Sequence, residues 1–226
     1  MGSMSRRSAD WKEQIGLDKV YDVEGPEDNK ELYAEWAETY DSGFVVDSRY
    51  VYPRQVAEVF CDGFAHLDQP VLDVGCGTGI VGTELARLDV SVIDGIDLSP
   101  EMLAEAEAKT HDGRPLYRQL FEADLTGPTE LADGAYAGIV SAGAFTHGIF
   151  GPETISELLR VARPGARFAL GINSAHFDEV GFGHWLEQRQ LDGLIAGLNF
   201  DLRPIYEEAD EADPDQWSRI AIFTAA

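Results

Sequence analysis

Residues 71–79 read Val71-Leu72-Asp73-Val74-Gly75-Cys76-Gly77-Thr78-Gly79, a short, largely apolar strand running into a turn with three glycines. Glycine lets such a turn bend sharply and lets a ligand approach the backbone closely. The spacing predicts a helix over 79–88, whose first N–H groups face whatever the turn holds. Outward from the turn, strands and helices alternate. Residues 91–96 form a strand ending at Asp97. Ser99 is the N-cap and Pro100 the first position of a helix running to Lys109, with Met102, Leu103 and Ala106 facing inward. Residues 116–121, 136–141 and 167–172 read as further strands, and 152–162 as a helix stopped by Arg163-Pro164-Gly165.

This alternation implies a parallel sheet covered on both faces. Residues 199–206 and 220–224 have no helix between them, so they pair antiparallel at one edge. The expected fold is α/β: a Rossmann-like doubly wound sheet of seven strands, mostly parallel, with an antiparallel C-terminal edge strand. N-terminal helices cover its site. Leu32, Tyr33, Trp36 and Tyr40 fall at i, i+1, i+4 and i+8, an aromatic face on one helix. Residues 53–67 read as a second helix, with Pro53 in its first turn and Val56, Val59, Phe60 and Phe64 on one face. Residues 1–28 are expected to be a tag remnant, up to a start at Met4, followed by a flexible acidic tail. Residues 29–226 are expected to form one domain.

The 17 basic and 41 acidic residues leave a net charge of −24. Nucleic-acid binders need a basic face to displace counterions from phosphates, so DNA and large RNA are excluded as expected partners. No run of 18 apolar residues and no N-terminal apolar core of a signal peptide occurs, so no membrane association is expected and the cytoplasm is the expected compartment. Cys61 and Cys76 are the two cysteines. Neither has partners at metal-ligand spacing, and no metal is expected.

A glycine-rich turn of this kind holds either the pyrophosphate of a dinucleotide or the amino-acid end of S-adenosylmethionine (SAM). Residues 77–82 match G-x-G-x-x-G as a string. In the dinucleotide pattern, however, the first glycine directly follows the strand. That position is Gly75, and counting from it the third glycine falls on Ile80. Asp73 adds a charge argument. A carboxylate at the strand end repels a pyrophosphate and attracts an ammonium group by several kcal/mol before desolvation, on the order set by an effective dielectric near 20. Register and charge favour SAM. Asp97 lies at the end of the second strand, where a carboxylate accepts hydrogen bonds from ribose hydroxyls. That feature suits either ligand.

Residues 72–79 resemble the glycine motif of class I SAM-dependent methyltransferases, and Gly95-Ile96-Asp97-Leu98-Ser99-Pro100-Glu101-Met102-Leu103 resembles their second motif. The resemblance extends from Tyr33 to about Asn173, and its pattern is similar to the small-molecule, ubiquinone-biosynthesis-like and "methyltransferase-like" group. It implies SAM as cofactor and S-adenosylhomocysteine as its product. It implies that Asp73, Gly75 and Gly77 contact the methionine end, Asp97 the ribose, Leu98 and Met102 the adenine face, and Asp124 and Leu125 the adenine edge. Tyr40, Cys76 and Ser141 join them as cofactor contacts. Asp124 reads equally as the cap of a loop turn.

The loop after the fourth strand, residues 141–148, faces the transferred methyl, since ligands bind outside the carboxyl ends of parallel strands. It lacks the Asn/Asp-Pro-Pro-aromatic motif of amino-methyltransferases. His147 is the candidate general base, with a loop histidine bonded to backbone as the plain alternative. Tyr33, Trp36, Phe145, Asn173 and His176 are expected with it around the acceptor, and His184 and Trp185 are further candidates. Arg49 and Arg54 read as surface ion pairs or as carboxylate binders. The expected activity is methyl transfer to an O, N or S nucleophile of a small molecule, by a monomer or homodimer. The alternative keeps the fold but cyclises or cleaves SAM. A nicotinamide-dependent oxidoreductase and a non-enzymatic SAM sensor complete the readings.

Overall fold

In the computed structural model, Ala37 and residues 40–226 are described. Tyr33, Trp36 and the tail 1–28 lie outside them. After a short helix α1 (Phe44–Asp47) comes α2 (Tyr52–Cys61), started by Pro53, whose Val56, Ala57 and Phe60 are buried. The strand β1 (Val71–Val74) is buried at all four positions, and α3 (Ile80–Arg87) follows the glycine turn. Next come β2 (Ile93–Asp97) and α4 (Pro100–Ala108). Ser99 caps α4 as expected: its hydroxyl accepts the Met102 N–H at 3.2 Å, and Met102, Leu103 and Ala106 are buried.

A small hairpin, β3 (Thr110–His111) with β4 (Arg114–Pro115), turns through Asp112 and Gly113, both at positive φ. It precedes β5 (Gln119–Glu122). The strand predicted at 116–121 therefore starts later, because Leu116 and Tyr117 leave the strand line and turn into the core. The chain continues through β6 (Tyr136–Phe145), α5 (Thr154–Val161), β7 (Ala162–Asn173), α6 (Ser174–Glu179), α7 (Phe182–Leu191), β8 (Ile195–Pro204) and β9 (Trp217–Ala225). Two predicted strands lengthen. β6 runs past Ser141 through an irregularity between Ala142 and Phe145, where Gly143 has φ +96°. β7 starts at Ala162 because Pro164-Gly165 bulges out and pairing resumes at Arg167. The second helix ends at Cys61, short of the predicted residue 67.

Seven strands lie in the order β5-β2-β1-β6-β7-β9-β8. β9, the reversed C-terminal strand, pairs antiparallel with both β7 and β8, so it lies next to that edge and β8 forms the edge itself. The order reverses between β1 and β6, so the carboxyl ends of these two strands flank the crevice where ligands bind in such sheets. Two apolar layers hold the sheet. Ala169 of β7 faces α2 and α3, while Phe168 and Leu170 face α5 and α7, the two-residue alternation of a strand buried on both sides.

Phe168 and Phe223 are register partners across β7 and β9, and their rings stack at 4.5 Å. Both side chains are fully buried. Phe223→Ala is expected to lower the unfolding free energy by about 3–5 kcal/mol. Urea denaturation checks this, and a loss below about 1 kcal/mol would mean the layer collapses around the gap.

Candidate functional site

Three glycines of the turn adopt positive φ: Gly75 at +63°, Gly77 at +52° and Gly79 at +91°. A Cβ on Gly75 would sit 2.6 Å from the Ala144 Cβ, so the close approach of β1 to the end of β6 needs glycine there. A Cβ on Gly77 would project into open space, where a ligand meets backbone directly. The Gly75 and Cys76 amides both donate to the Ile96 carbonyl, which fastens the turn to β2.

Asp73 lies beneath this turn, fully buried. Its Oδ2 accepts the Tyr117 hydroxyl at 2.7 Å and the Gly82 amide at 3.1 Å, and its Oδ1 is buried with no partner. Gly82 makes this possible, because a Cβ there would collide with the Tyr117 hydroxyl. Burial pushes the Asp73 carboxyl up to about 7, against the opposing hydrogen bonds from Tyr117 and Gly82. An unsatisfied, buried carboxylate oxygen at the carboxyl end of β1 suits a cationic donor, and the ammonium group of SAM is such a donor.

Asp97 is tied into the same turn. Its Oδ2 accepts the Gly77 amide at 2.8 Å and its Oδ1 the Ser99 amide at 2.9 Å, and burial again pushes the carboxyl up. Each oxygen keeps a second lone pair for a hydroxyl donor. Behind it, Asp94 is held by a bidentate Arg118 (2.9 and 2.5 Å) and by the Tyr136 hydroxyl at 3.0 Å, which binds β2 to the start of β5 and to β6.

Above the turn lies a cleft of about 960 Å³ including its mouth. Of the residues expected at a cofactor, Tyr40, Gly75, Cys76, Gly77, Asp97, Leu98, Met102, Asp124 and Leu125 all line it. Asp73 lies below its floor. Ser141 is fully buried with its hydroxyl on the Val74 carbonyl at 2.8 Å, so its part is to join β6 to β1. Asp124 lines the cleft and also caps a turn, its Oδ1 accepting the amide and hydroxyl of Thr126. Asp41 fastens the N-terminal segment over the turn: Oδ1 accepts the Thr78 hydroxyl at 2.6 Å and Oδ2 the Lys109 ammonium at 2.5 Å.

The expected acceptor residues are placed differently. Phe145 is buried in the core against Phe150 and Phe182, so it does not line the cleft. Asn173 caps α6, accepting the Ala175 and His176 amides, and donates to the Asp215 carbonyl. His176 is buried and bonds the Phe150 carbonyl through Nε2 at 2.9 Å. His147 faces carboxylates through both ring nitrogens, Glu179 at 3.1 Å on Nδ1 and Asp215 at 3.3 Å on Nε2, and it too is absent from the cleft lining. His184 is exposed, Trp185 stacks under Arg189, and neither reaches the cleft. Arg49 pairs with Glu208, and Arg54 with Glu58, on the surface.

The outer wall of the cleft comes instead from Tyr50, Gly143, Ile149 and Phe150. The Tyr50 hydroxyl lies 3.0 Å from where a Gly143 Cβ would stand, and its ring meets Phe44, Tyr52 and Tyr206. Sequence reasoning passed over Tyr50. The run Tyr50-Val51-Tyr52-Pro53 carried a signal, aromatic residues directly ahead of a proline-started helix.

Unfolded, the Asp73 carboxyl has its ordinary value of 3.8; folded, it lies at about 7. Between these values the folded chain holds the extra proton, so the group's contribution to stability is full below about pH 4 and is lost as pH rises through about 7. Asp73→Asn removes this titration. The stability of the variant relative to the parent is therefore expected to rise between about pH 5 and about pH 8 in urea unfolding, and a pH-independent difference would show that Asp73 is not a buried titrating group.

Residues 71–165 match the family described as Methyltransferase domain. The chain is 30% identical over 142 residues to Methyltransferase-like protein 27 of Homo sapiens, covering 62% of this chain and 55% of that one. It is 29% identical over 190 residues to a demethylmenaquinone methyltransferase of Symbiobacterium thermophilum, covering 77% and 73%. Among solved structures it is similar to the [4+2]-cyclase SpnF, with a TM-score of 0.64 at 15% identity, covering 90% of this chain and 97% of that one. The chain spans about half the length of several curated relatives that it matches. The matched segment carries the glycine turn, the carboxylates of Asp73 and Asp97, and the strands β1 and β6 between which the order reverses, so residues 71–165 form a methyltransferase domain similar to those of the class I SAM-dependent enzymes.

Proposed function

We propose that the protein transfers a methyl group from SAM to an O, N or S nucleophile of a small molecule. The carrying observation is the single cleft that joins the glycine turn and Asp97 to an aromatic and aliphatic wall at Tyr50, Ile149 and Phe150. Bound SAM supplies a methyl group already activated on a sulfonium. The protein's own residues bind and align. Asp73 and the amides of the turn hold the charged amino-acid end, and Asp97 holds the ribose. Leu98, Met102 and Leu125 form the apolar slot for the adenine. Tyr40 covers the site, held down through the neighbouring Asp41. Alignment is the larger part of the work for such an in-line displacement.

The wall at Tyr50, Ile149 and Phe150 favours an apolar or aromatic acceptor that leaves its nucleophile toward Gly143. The net charge of −24 further supports an acceptor that is not a polyanion. His147 is a poor candidate for the base, because both its nitrogens already meet carboxylates and it stands off the cleft.

The likeness to a cyclase favours a second reading, in which SAM is bound but its methyl group is not transferred to an acceptor. Incubation with SAM and a panel of small phenols, amines and thiols separates the two. S-adenosylhomocysteine forming only when an acceptor is present is the expected result; product from SAM alone, or SAM binding with no S-adenosylhomocysteine from any acceptor, would overturn it. In the same assay Asp97→Ala is expected to weaken SAM binding by about 1–3 kcal/mol, whereas unchanged affinity by calorimetry would remove the ribose role.

A further inference from the structure

We propose that His147, His176 and Glu179 form a site for a divalent transition-metal ion of the zinc class, behind the wall of the cleft. One ligand atom from each of the three lies within 4.8 Å of the other two. His147 stands near the start of the loop after β6, and His176 and Glu179 sit three residues apart on α6, so the site joins two elements distant in sequence. A tetrahedral centre with bonds of about 2.0–2.2 Å holds its ligand atoms about 3.4 Å apart, within reach of small side-chain rotations here.

The state of each imidazole points to a cation. His176 is buried, and its Nε2 meets the Phe150 carbonyl, which can only accept. The ring proton is therefore on Nε2, and Nδ1 carries the lone pair. That Nδ1 is buried and has no partner. Metal-bound histidines have this arrangement, with one nitrogen donating to a carbonyl or carboxylate and the other turned to the ion. His147 repeats it: Nε2 faces the Asp215 carboxylate at 3.3 Å and Nδ1 faces Glu179 at 3.1 Å. A neutral imidazole has one N–H and so satisfies one of these carboxylates. A metal ion between Nδ1 and Glu179 would satisfy the second. The buried, unpartnered Nδ1 of His176 would gain a bond from a metal held among the three residues.

Two imidazoles and one carboxylate suit zinc and its neighbours and leave a position open, whereas magnesium and calcium prefer all-oxygen sets. The ion would fix the loop through Gly148, Ile149 and Phe150, which forms the cleft's outer wall on its other side. It belongs to a site separate from the glycine turn, and its presence does not depend on which reaction the cleft carries out.

The test is calorimetric titration of Zn2+ into the chelator-treated full chain, with Co2+ visible absorption as a second readout and Mg2+ as the hard-ion arm. The expected result is one tight equivalent of Zn2+, tetrahedral Co2+ bands, and no Mg2+ heat. His176→Ala and Glu179→Gln should each weaken Zn2+ at least about tenfold, the scale on which even outer hydrogen-bond partners act. Glu179 is largely exposed, so its variant decides the matter if His176→Ala fails to fold. His66→Ala with His111→Ala should leave the tight equivalent unchanged. Absence of a tight equivalent in the parent chain, its survival in both site variants, or its loss in the His66 and His111 variant would each overturn the proposal.

Discussion

The burial of the Asp73 carboxylate is the constraint around which the site is organised. A carboxylate out of water must be satisfied or neutralised. Asp73 is half satisfied: one oxygen takes Tyr117 and Gly82, and the other takes nothing from the protein. Much of the neighbouring sequence follows from this. Gly82 must lack a side chain for Tyr117 to approach, and Tyr117 must leave the β5 strand line to arrive there. The Asp112-Gly113 hairpin turns the chain just before that departure. The unpartnered oxygen costs stability that a cationic group would offset, the usual exchange of stability for function at a binding site.

Asp97 is the complementary case. Both of its oxygens already accept backbone amides, one from the glycine turn and one from the start of α4. It is a clamp within the protein, whatever it offers a ligand. The turn, β2 and the first turn of α4 are held in one geometry before any ligand arrives, which lowers the ordering cost of binding. Asp94 and Arg118 support the same strand from the far side.

The cofactor end was legible in the sequence because its chemistry is local. Glycines with positive φ, a proline at the first helical position and a carboxylate ending a strand are each set by nearest neighbours, and their spacing survives in the string. The mostly parallel character of the sheet followed from alternation of strand and helix, and the antiparallel pairing at one edge from the missing helix before β9. The acceptor end was not legible for the opposite reason. Phe145, Asn173 and His176 lie near the expected strand ends, yet a register shift at Gly143 turns Phe145 into the core, and capping of α6 uses up Asn173. Tyr50 reaches Gly143 from a segment about ninety residues away, and His147 meets Glu179 and Asp215 from two other segments. Such contacts have no period for a sequence to reveal.

The two ends differ also in how they are closed. The cofactor end has a fixed floor, and Asp41 helps tie down its cover, its two oxygens reaching Thr78 beside the glycine turn and Lys109 at the end of α4. Thr78 is buried, whereas Lys109 and Asp41 are partly exposed, so the hydroxyl bond is the firmer of the two and the ion pair is weakened by solvent. The wall at Ile149 and Phe150 is fastened by other residues: His176 holds it from behind through the Phe150 carbonyl, so the two ends of the cleft rest on separate contacts.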